Sequence, residues 1–195
     1  MKRLLAALFF VLAISVMPLE AAPIVFTTAL SGPNEEPANA SPGTGFAIVT
    51  IDPVAHTLGV DVTFQDLTTP NTAAHIHVIN GPGDANTADT LGPVTTTTPT
   101  FTGFPLGTFG TYSNVFDTTL ASTYRAGFIT DAGGTTLLAE AALFAGIQSG
   151  RAYLNIHTTQ IPGGEIRGFL QPVPEPASLL LLGSGLALAL RRRRS

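Results

Sequence analysis

Three of the four histidines are spaced so that their side chains can meet on one surface. His75 and His77 stand two residues apart in the segment 74–78, and His157 ends the segment 153–157. Side chains alternate between the two faces of a strand, so His75 and His77 share a face and the apolar residues beside them take the other. The same alternation places His157 opposite the apolar residues of its own segment. If the two strands are near neighbours, three imidazoles cluster on a face that points outward or into a groove covered by a loop.

Neutral imidazole is the commonest protein ligand for copper and zinc, and two histidines two residues apart on a strand can share one ion. The pattern therefore allows a copper or zinc site formed by His75, His77 and His157. A second interpretation is favoured over it, because a two-histidine strand motif often occurs without a metal. In that interpretation the rings hydrogen-bond loop backbone and fix the long connection after Asn80. His56 follows a turn and is interpreted as a surface residue.

A second polar pair, Glu165 and Arg167, lies on one face of the last predicted strand. The carboxylate could orient His157, but we expect a salt bridge between Glu165 and Arg167 that closes the last hairpin. The segment 84–89 offers oxygen ligands for calcium without the spacing of a calcium loop, so we interpret it as a turn. The sequence shows no nucleophile beside a base, no phosphate loop and no carboxylate pair for glycoside hydrolysis. It therefore predicts a protein that is not an enzyme.

The elements that must position these residues are mostly strands. Apolar and polar residues alternate with period two along most of the chain, which is typical of half-buried strands. The predicted strands cover residues 24–30, 45–52, 57–64, 74–79, 110–116, 151–158 and 165–171. Apolar residues at helical spacing predict one helix over 135–148, and the threonine-rich stretch 92–100 is interpreted as an exposed loop or edge. We therefore expect a mainly β fold, either an antiparallel β-sandwich or an open Greek-key barrel, with one packed helix.

Composition and charge exclude several classes of protein. The chain has 195 residues, of which 11% are charged, and it has no cysteine. Disulfides, thiolate metal sites and cysteine nucleophiles are therefore excluded. Six of the nine basic residues stand at the two ends, and the segment 22–172 has only three arginines against eleven acidic residues. This segment has no basic surface with which to contact phosphates, so we expect no nucleic acid partner.

Both ends of the chain have the pattern of targeting segments. Residues 1–21 begin with Lys2 and Arg3, continue through an apolar stretch and end in small residues, which is the order of a secretory signal peptide cleaved after Ala21. Residues 173–195 contain Pro174, Glu175 and Pro176, then an apolar run over 177–190, then four arginines. A helix over this run is about 21 Å long and crosses a hydrocarbon core of about 30 Å only with local thinning. The arginines would hold its end in the cytoplasm and leave the body outside.

The C-terminal pattern closely resembles the PEP-CTERM sorting signal. The resemblance implies a transient anchor in the inner membrane, processing near the motif by an exosortase-type enzyme, and export to the cell surface or beyond. A plain membrane anchor is the alternative. The segment between the two ends, 22–172, is predicted to be one domain.

The segment from about 24 to 171 resembles a CHRD domain, the module first described in chordin. The motifs that carry the resemblance are residues 30–32, 35–37, 43–45, 74–77, 149–150, 153–158 and 162–168. In bacteria this module occurs in exported proteins, so the resemblance supports export and leaves the biochemical role open. A weaker likeness is to copper/zinc superoxide dismutase, a Greek-key barrel. It implies that His75, His77 and His157 are copper ligands and that Arg167 steers anions. The chain departs from that pattern because it has no cysteine pair and no histidine in the long loop after Asn80.

Two functions follow as hypotheses. The first is an exported structural or binding module of the cell surface or extracellular matrix, with an exopolysaccharide or surface proteins as partners. The second is a copper-binding or superoxide-dismutase-like metal protein that uses the three histidines. The sequence favours the first, because both ends carry targeting segments and no active site is recognisable.

Overall fold

The computed structural model describes residues 22–84 and 91–174. The predicted signal peptide, the segment 85–90 and the chain from Glu175 onward lie outside the described residues, and with them most of the predicted calcium-type segment and of the sorting signal. No helix of the described residues is both long enough and apolar enough to cross a membrane.

The described residues form eight strands and two α-helices. The strands are β1 (Ile24–Ser31), β2 (Thr44–Asp52), β3 (Thr57–Gln65), β4 (Asn71–Val78), β5 (Gly110–Asp117), β6 (Ala152–Thr158), β7 (Ile166–Phe169) and β8 (Gln171–Pro172), and the helices are α1 (Ala126–Asp131) and α2 (Thr136–Gln148). The strands make one antiparallel sheet in the order β4-β6-β7-β1-β2-β3-β5, with β8 paired to β1. The sheet curls into a half-barrel. The mainly β prediction is confirmed, and the strands form one curled sheet.

Alternation places the core along one face of the sheet. On β2 and β3 every second side chain is buried, and the register pairs buried residues with each other, for example Val49 with Val60. Helix α2 covers β4 and β6 with Leu143 and Ile147, which are fully buried. Gly146 allows this close approach, because a Cβ there would lie 2.6 Å from a methyl group of Val78.

The predicted elements match the observed ones with three differences. The last predicted strand divides into β7 and β8, and Glu165 precedes β7. The second difference is helix α1, which is additional to the one predicted helix. It has only six residues, too few for a helical period to be visible in the sequence.

The third difference concerns the stretch 92–100, which the sequence predicts to be an exposed loop or edge. It lies at the edge of β4, as the second alternative has it, but Thr95 and Thr96 are fully buried there and bond the backbone of Ile76. Its threonine hydroxyls satisfy strand groups that would otherwise be unpaired.

Candidate metal centre

The three predicted histidines lie together because β4 and β6 are paired neighbours. Their register sets Ala73 opposite His157, Asn155 opposite His75 and Tyr153 opposite His77. The ring of His75 lies between the other two, with centroid distances of 4.7 Å to each. One ligand atom from each ring lies within 4.8 Å of the others. The condition for a cluster, that the two strands are neighbours, is met, and the three imidazoles share one face.

The histidines face a covered groove rather than open solvent. His75 and His77 are buried, with 6% and 8% of their surface exposed, while His157 is half-buried. The stretch 92–100 and the turn 161–164 cover the face, because carbonyl groups in both bond the imidazoles. An ion would therefore reach the cluster past His157.

Each ring is oriented through its Nδ1 atom. The three contacts run from His75 to the Pro99 carbonyl at 2.9 Å, from His77 to Gly92 at 2.7 Å and from His157 to Pro162 at 3.0 Å. A carbonyl oxygen only accepts hydrogen bonds, so each Nδ1 carries the proton and each neutral ring presents a lone pair at Nε2. The loop-fastening interpretation thus describes the Nδ1 atoms, and the Nε2 atoms are the ones that could hold a metal.

The Nε2 atoms are arranged as acceptors without a donor. The Nε2 atoms of His75 and His157 lie 2.9 Å apart, so two lone pairs face each other unless a proton or a cation lies between them. A shared proton would satisfy these two atoms only. The Nε2 of His77 is buried and has no hydrogen-bond partner, and an ion bound by all three rings would satisfy it as well. In a tetrahedral site with bonds of about 2.0 Å, ligand nitrogens are about 3.3 Å apart, and the Nε2 atoms of His75 and His157 lie 2.9 Å apart.

Burial keeps the imidazoles in the neutral form that binds metals. It lowers the pKa of His75 to about 4 and the pKa of His77 to about 3, and the neighbouring imidazoles add to both effects. It also lowers the pKa of His157. Two of the rings therefore stay uncharged well below the ordinary histidine pKa of about 6.5.

A stack of side chains holds the ring of His77 from behind. Tyr153 lies parallel to this ring with a centroid distance of 4.7 Å, and its hydroxyl accepts a hydrogen bond from the Gly92 backbone at 3.3 Å. The guanidinium of Arg167 lies 4.9 Å from the Tyr153 ring and pairs with the carboxylate of Glu35 at 3.7 Å. The predicted face of β6 includes Tyr153, whereas the distant Glu35 gave no sequence signal for this role.

The predicted pairing of Glu165 with Arg167 is wrong. The carboxylate of Glu165 accepts hydrogen bonds from the hydroxyls of Ser41, Thr68 and Thr158 at 2.5–2.8 Å. It neither closes the hairpin with Arg167 nor orients His157, because it precedes β7 and follows Gly164 at φ +133°, outside the alternation of the strand. Arg167 is 3% exposed, so it is no anion-steering residue at the surface.

The prediction that His56 is only a surface residue is also incomplete. Its Nδ1 lies 2.9 Å from the carboxylate of Glu140 on α2, which is buried. The hydroxyl of Thr118 donates to the same carboxylate. His56 therefore fastens the turn between β2 and β3 to the helix, far along the chain from the histidine cluster.

The domain is thus a curled antiparallel sheet with a covered three-histidine face. Comparison with known families identifies the family to which it belongs. The CHRD domain family matches residues 26–170, and the PEP-CTERM protein-sorting motif matches residues 172–194. The chain belongs to the CHRD domain family. The sorting motif implies export, processing by an exosortase-type enzyme and sorting to the cell surface. Neither the search of curated proteins nor the search of solved structures found a match.

Proposed function

We propose that this exported domain is a metal-binding module whose centre holds one copper or zinc ion on His75, His77 and His157. The observation that carries the proposal is the cluster itself: one ring nitrogen from each histidine lies within 4.8 Å of the others, and the Nε2 of His77 is buried without a hydrogen-bond partner. The Nδ1 hydrogen bonds fix the rings before the ion arrives, so little ordering is left for binding.

The test is the metal content of the exported protein after equilibration with copper and zinc, measured by mass spectrometry. We expect about one equivalent per chain, lost in the double variant His75→Ala/His77→Ala. His56→Ala is the matched control, because it removes a histidine that lies outside the cluster and bonds Glu140. The proposal fails if the wild-type protein holds no ion, or if the double variant holds as much as the control.

A second candidate function is the surface-binding module, and a groove on the other side of the molecule supports it. The groove has a volume of about 510 Å³ and is lined entirely by uncharged residues of β2, β3 and the start of β5. Phe46 and Phe109 lie there with 46% and 75% of their surface exposed. Large apolar side chains held in solvent on a paired sheet mark an interaction surface.

The chemistry of the groove suits an uncharged glycan. The register sets Phe46, Thr63 and Thr111 in one row across the three strands, and Phe109 lines the groove just before β5 begins. Threonine hydroxyls and the Gln65 amide thus lie in the same groove as the two phenyl groups. A sugar ring offers a C–H face to a phenyl group and hydroxyls to the polar groups. The acidic body disfavours an anionic polymer.

Electrophoresis through gels that contain a neutral glucan, mannan or galactan tests this candidate. We expect at least one polymer to retard the protein, and both Phe46→Ala and Phe109→Ala to reduce the retardation. Val115→Ala is the control, since Val115 is 67% exposed on the same face of β5 but outside the groove. Equal mobility in every gel would contradict the binding role. The absence of enzymatic activity, the matrix location and the transient membrane anchor stay predictions.

A further inference from the structure

The ligand set of the metal centre carries no negative charge. All three ligands are imidazoles, and no carboxylate or thiolate of the described residues joins the cluster. Two carboxylates belong to neighbouring segments, and both are directed elsewhere. Glu35 pairs with Arg167, and Glu165 is held by three hydroxyl groups. An ion bound here would therefore keep its full charge.

The charges behind the cluster form a pair. The guanidinium of Arg167 lies behind Tyr153, which stacks on His77, and it pairs with the carboxylate of Glu35 at 3.7 Å. This pair supplies no net negative charge to attract a bound cation, and such an attraction would be twice as large for a divalent ion as for a monovalent one.

Burial makes the ionic charge decisive. The Nε2 atom of His77 has no contact with solvent, and the loop carbonyls near the cluster are engaged by Nδ1 protons. The cost of moving an ion from water to an apolar site grows with the square of its charge, so a divalent ion costs about four times as much as a monovalent one of equal size. Three imidazoles hold Zn(II) where a bound hydroxide supplies the negative charge, and no anionic ligand of the described residues joins the cluster here.

We infer that the centre selects the cuprous ion, Cu(I), over Zn(II) and Cu(II). Among the metals that imidazole binds well, copper is the one with a monovalent form. Three neutral ligands suffice for this monovalent ion. The inference rests on the proposed metal-binding function and specifies the charge of its ligand. It makes the protein a cuprous-ion binding module of the cell exterior.

Affinities measured on the exported protein test the inference. Cu(I) is titrated without oxygen in competition with bicinchoninate, and Zn(II) and Cu(II) are titrated in competition with chromophoric chelators. We expect Cu(I) to bind at least about 100-fold more tightly than either divalent ion. If no ion binds, both the inference and the proposed function fail. If Zn(II) or Cu(II) binds as tightly as Cu(I), the inference fails while the proposed function stands.

A charge variant makes the test specific. His157→Asp replaces the half-buried ligand by a carboxylate and should lower the ratio of Cu(I) to Zn(II) affinity by about 100-fold or more. His56→Ala should keep the wild-type ratio. An unchanged ratio in His157→Asp would overturn the argument from charge. The wild-type comparison of Cu(I) with Cu(II) needs no variant, so it decides the question even if His157→Asp does not fold.

Discussion

Two parts of the curled sheet, β2, β3 and β5 on the one hand and β4 and β6 on the other, show the same alternation of side chains but differ in which faces are buried. On β2, β3 and β5 one face is apolar and buried, and the other is polar and largely solvated. On β4 and β6 nearly every residue is buried, because α2 covers the apolar face and loop segments cover the histidine face. A soluble domain needs only the first arrangement for stability. The second buries polar rings, which is costly unless every polar atom finds a partner.

The contrast therefore separates the part of the molecule that provides stability from the part that provides a site. In the first part, hydrophobic burial accounts for the side chains that are present. In the second, three loop carbonyls satisfy the Nδ1 atoms and leave the Nε2 atoms available for the proposed ion. The covering loops have two effects on the rings, since the same backbone that buries them also fixes their tautomers.

The largest effect, on the free energy of unfolding, is expected from a change in the hydrophobic core beneath β2, β3 and β5. Leu58→Ala removes a fully buried side chain of β3 and should lower the free energy of unfolding by about 2–5 kcal/mol. The metal content should stay at the wild-type value, because Leu58 lies outside the cluster. Denaturant unfolding and metal analysis check both, with the exposed Val115→Ala as the control of near-zero effect. Loss of the metal in a folded Leu58→Ala protein would remove the separation between the two parts.

A pH profile gives a smaller effect with a definite sign. In the metal-free protein the pKa values of His75 and His77 lie below the unfolded value of about 6.5, so between pH 5 and 6 the unfolded chain binds about two more protons there. Burial raises the pKa of Glu35 to about 7, so in the same window the folded chain binds one more proton at that carboxyl. The net difference makes stability rise with pH by about 1.4 kcal/mol per unit.

The double variant His75→Ala/His77→Ala should have a smaller slope. Without the two imidazoles, the proton on Glu35, which makes stability fall as pH rises from 5 to 6, is opposed by His157 alone of the cluster. Denaturation midpoints of the two proteins in chelator at pH 5, 5.5 and 6 measure the slopes. Parallel slopes would show that the histidines titrate alike in the folded and unfolded states.

The smallest effect, on copper affinity, is expected from a change at Tyr153, which stacks on His77. Tyr153→Phe keeps the ring stacked on His77 but removes the hydroxyl that accepts from Gly92. Because one neutral hydrogen bond contributes about 1 kcal/mol, copper affinity should fall by less than about tenfold. Tyr153→Ala, which removes the stack as well, should lower affinity further. Equal affinities in all three proteins would mean that the stack does not position His77.

The parts of the fold that could be predicted are those that alternation determines. Strands β1, β2, β3, β5 and β6 and helix α2 lie within one or two residues of their predicted bounds. Alternation also predicts that His75 and His77 share a face and that His157 lies opposite the apolar residues of its own strand. Sequence could not show that β4 and β6 are paired, because pairing depends on contacts between residues far apart in the chain.

The features that the sequence did not predict depend on tertiary contacts. The stretch 92–100 has the composition of an exposed loop, yet its threonine hydroxyls replace strand partners along β4 and are buried for that reason. Arg167 and Glu165 share a predicted face, but each has separate buried partners, Glu35 for one and three hydroxyls for the other. Short polar segments can satisfy their groups in many ways, and composition does not distinguish among them.

The central claim is that one ion binds the Nε2 atoms of His75, His77 and His157. Anomalous diffraction at the copper absorption edge, from crystals of the exported protein loaded with Cu(I), tests it most directly. The account predicts one anomalous peak between the three rings, about 2 Å from each Nε2 atom. A crystal without a peak at this position, with His75 and His157 still in hydrogen-bond contact, would contradict it and leave the histidines as fasteners of the covering loops.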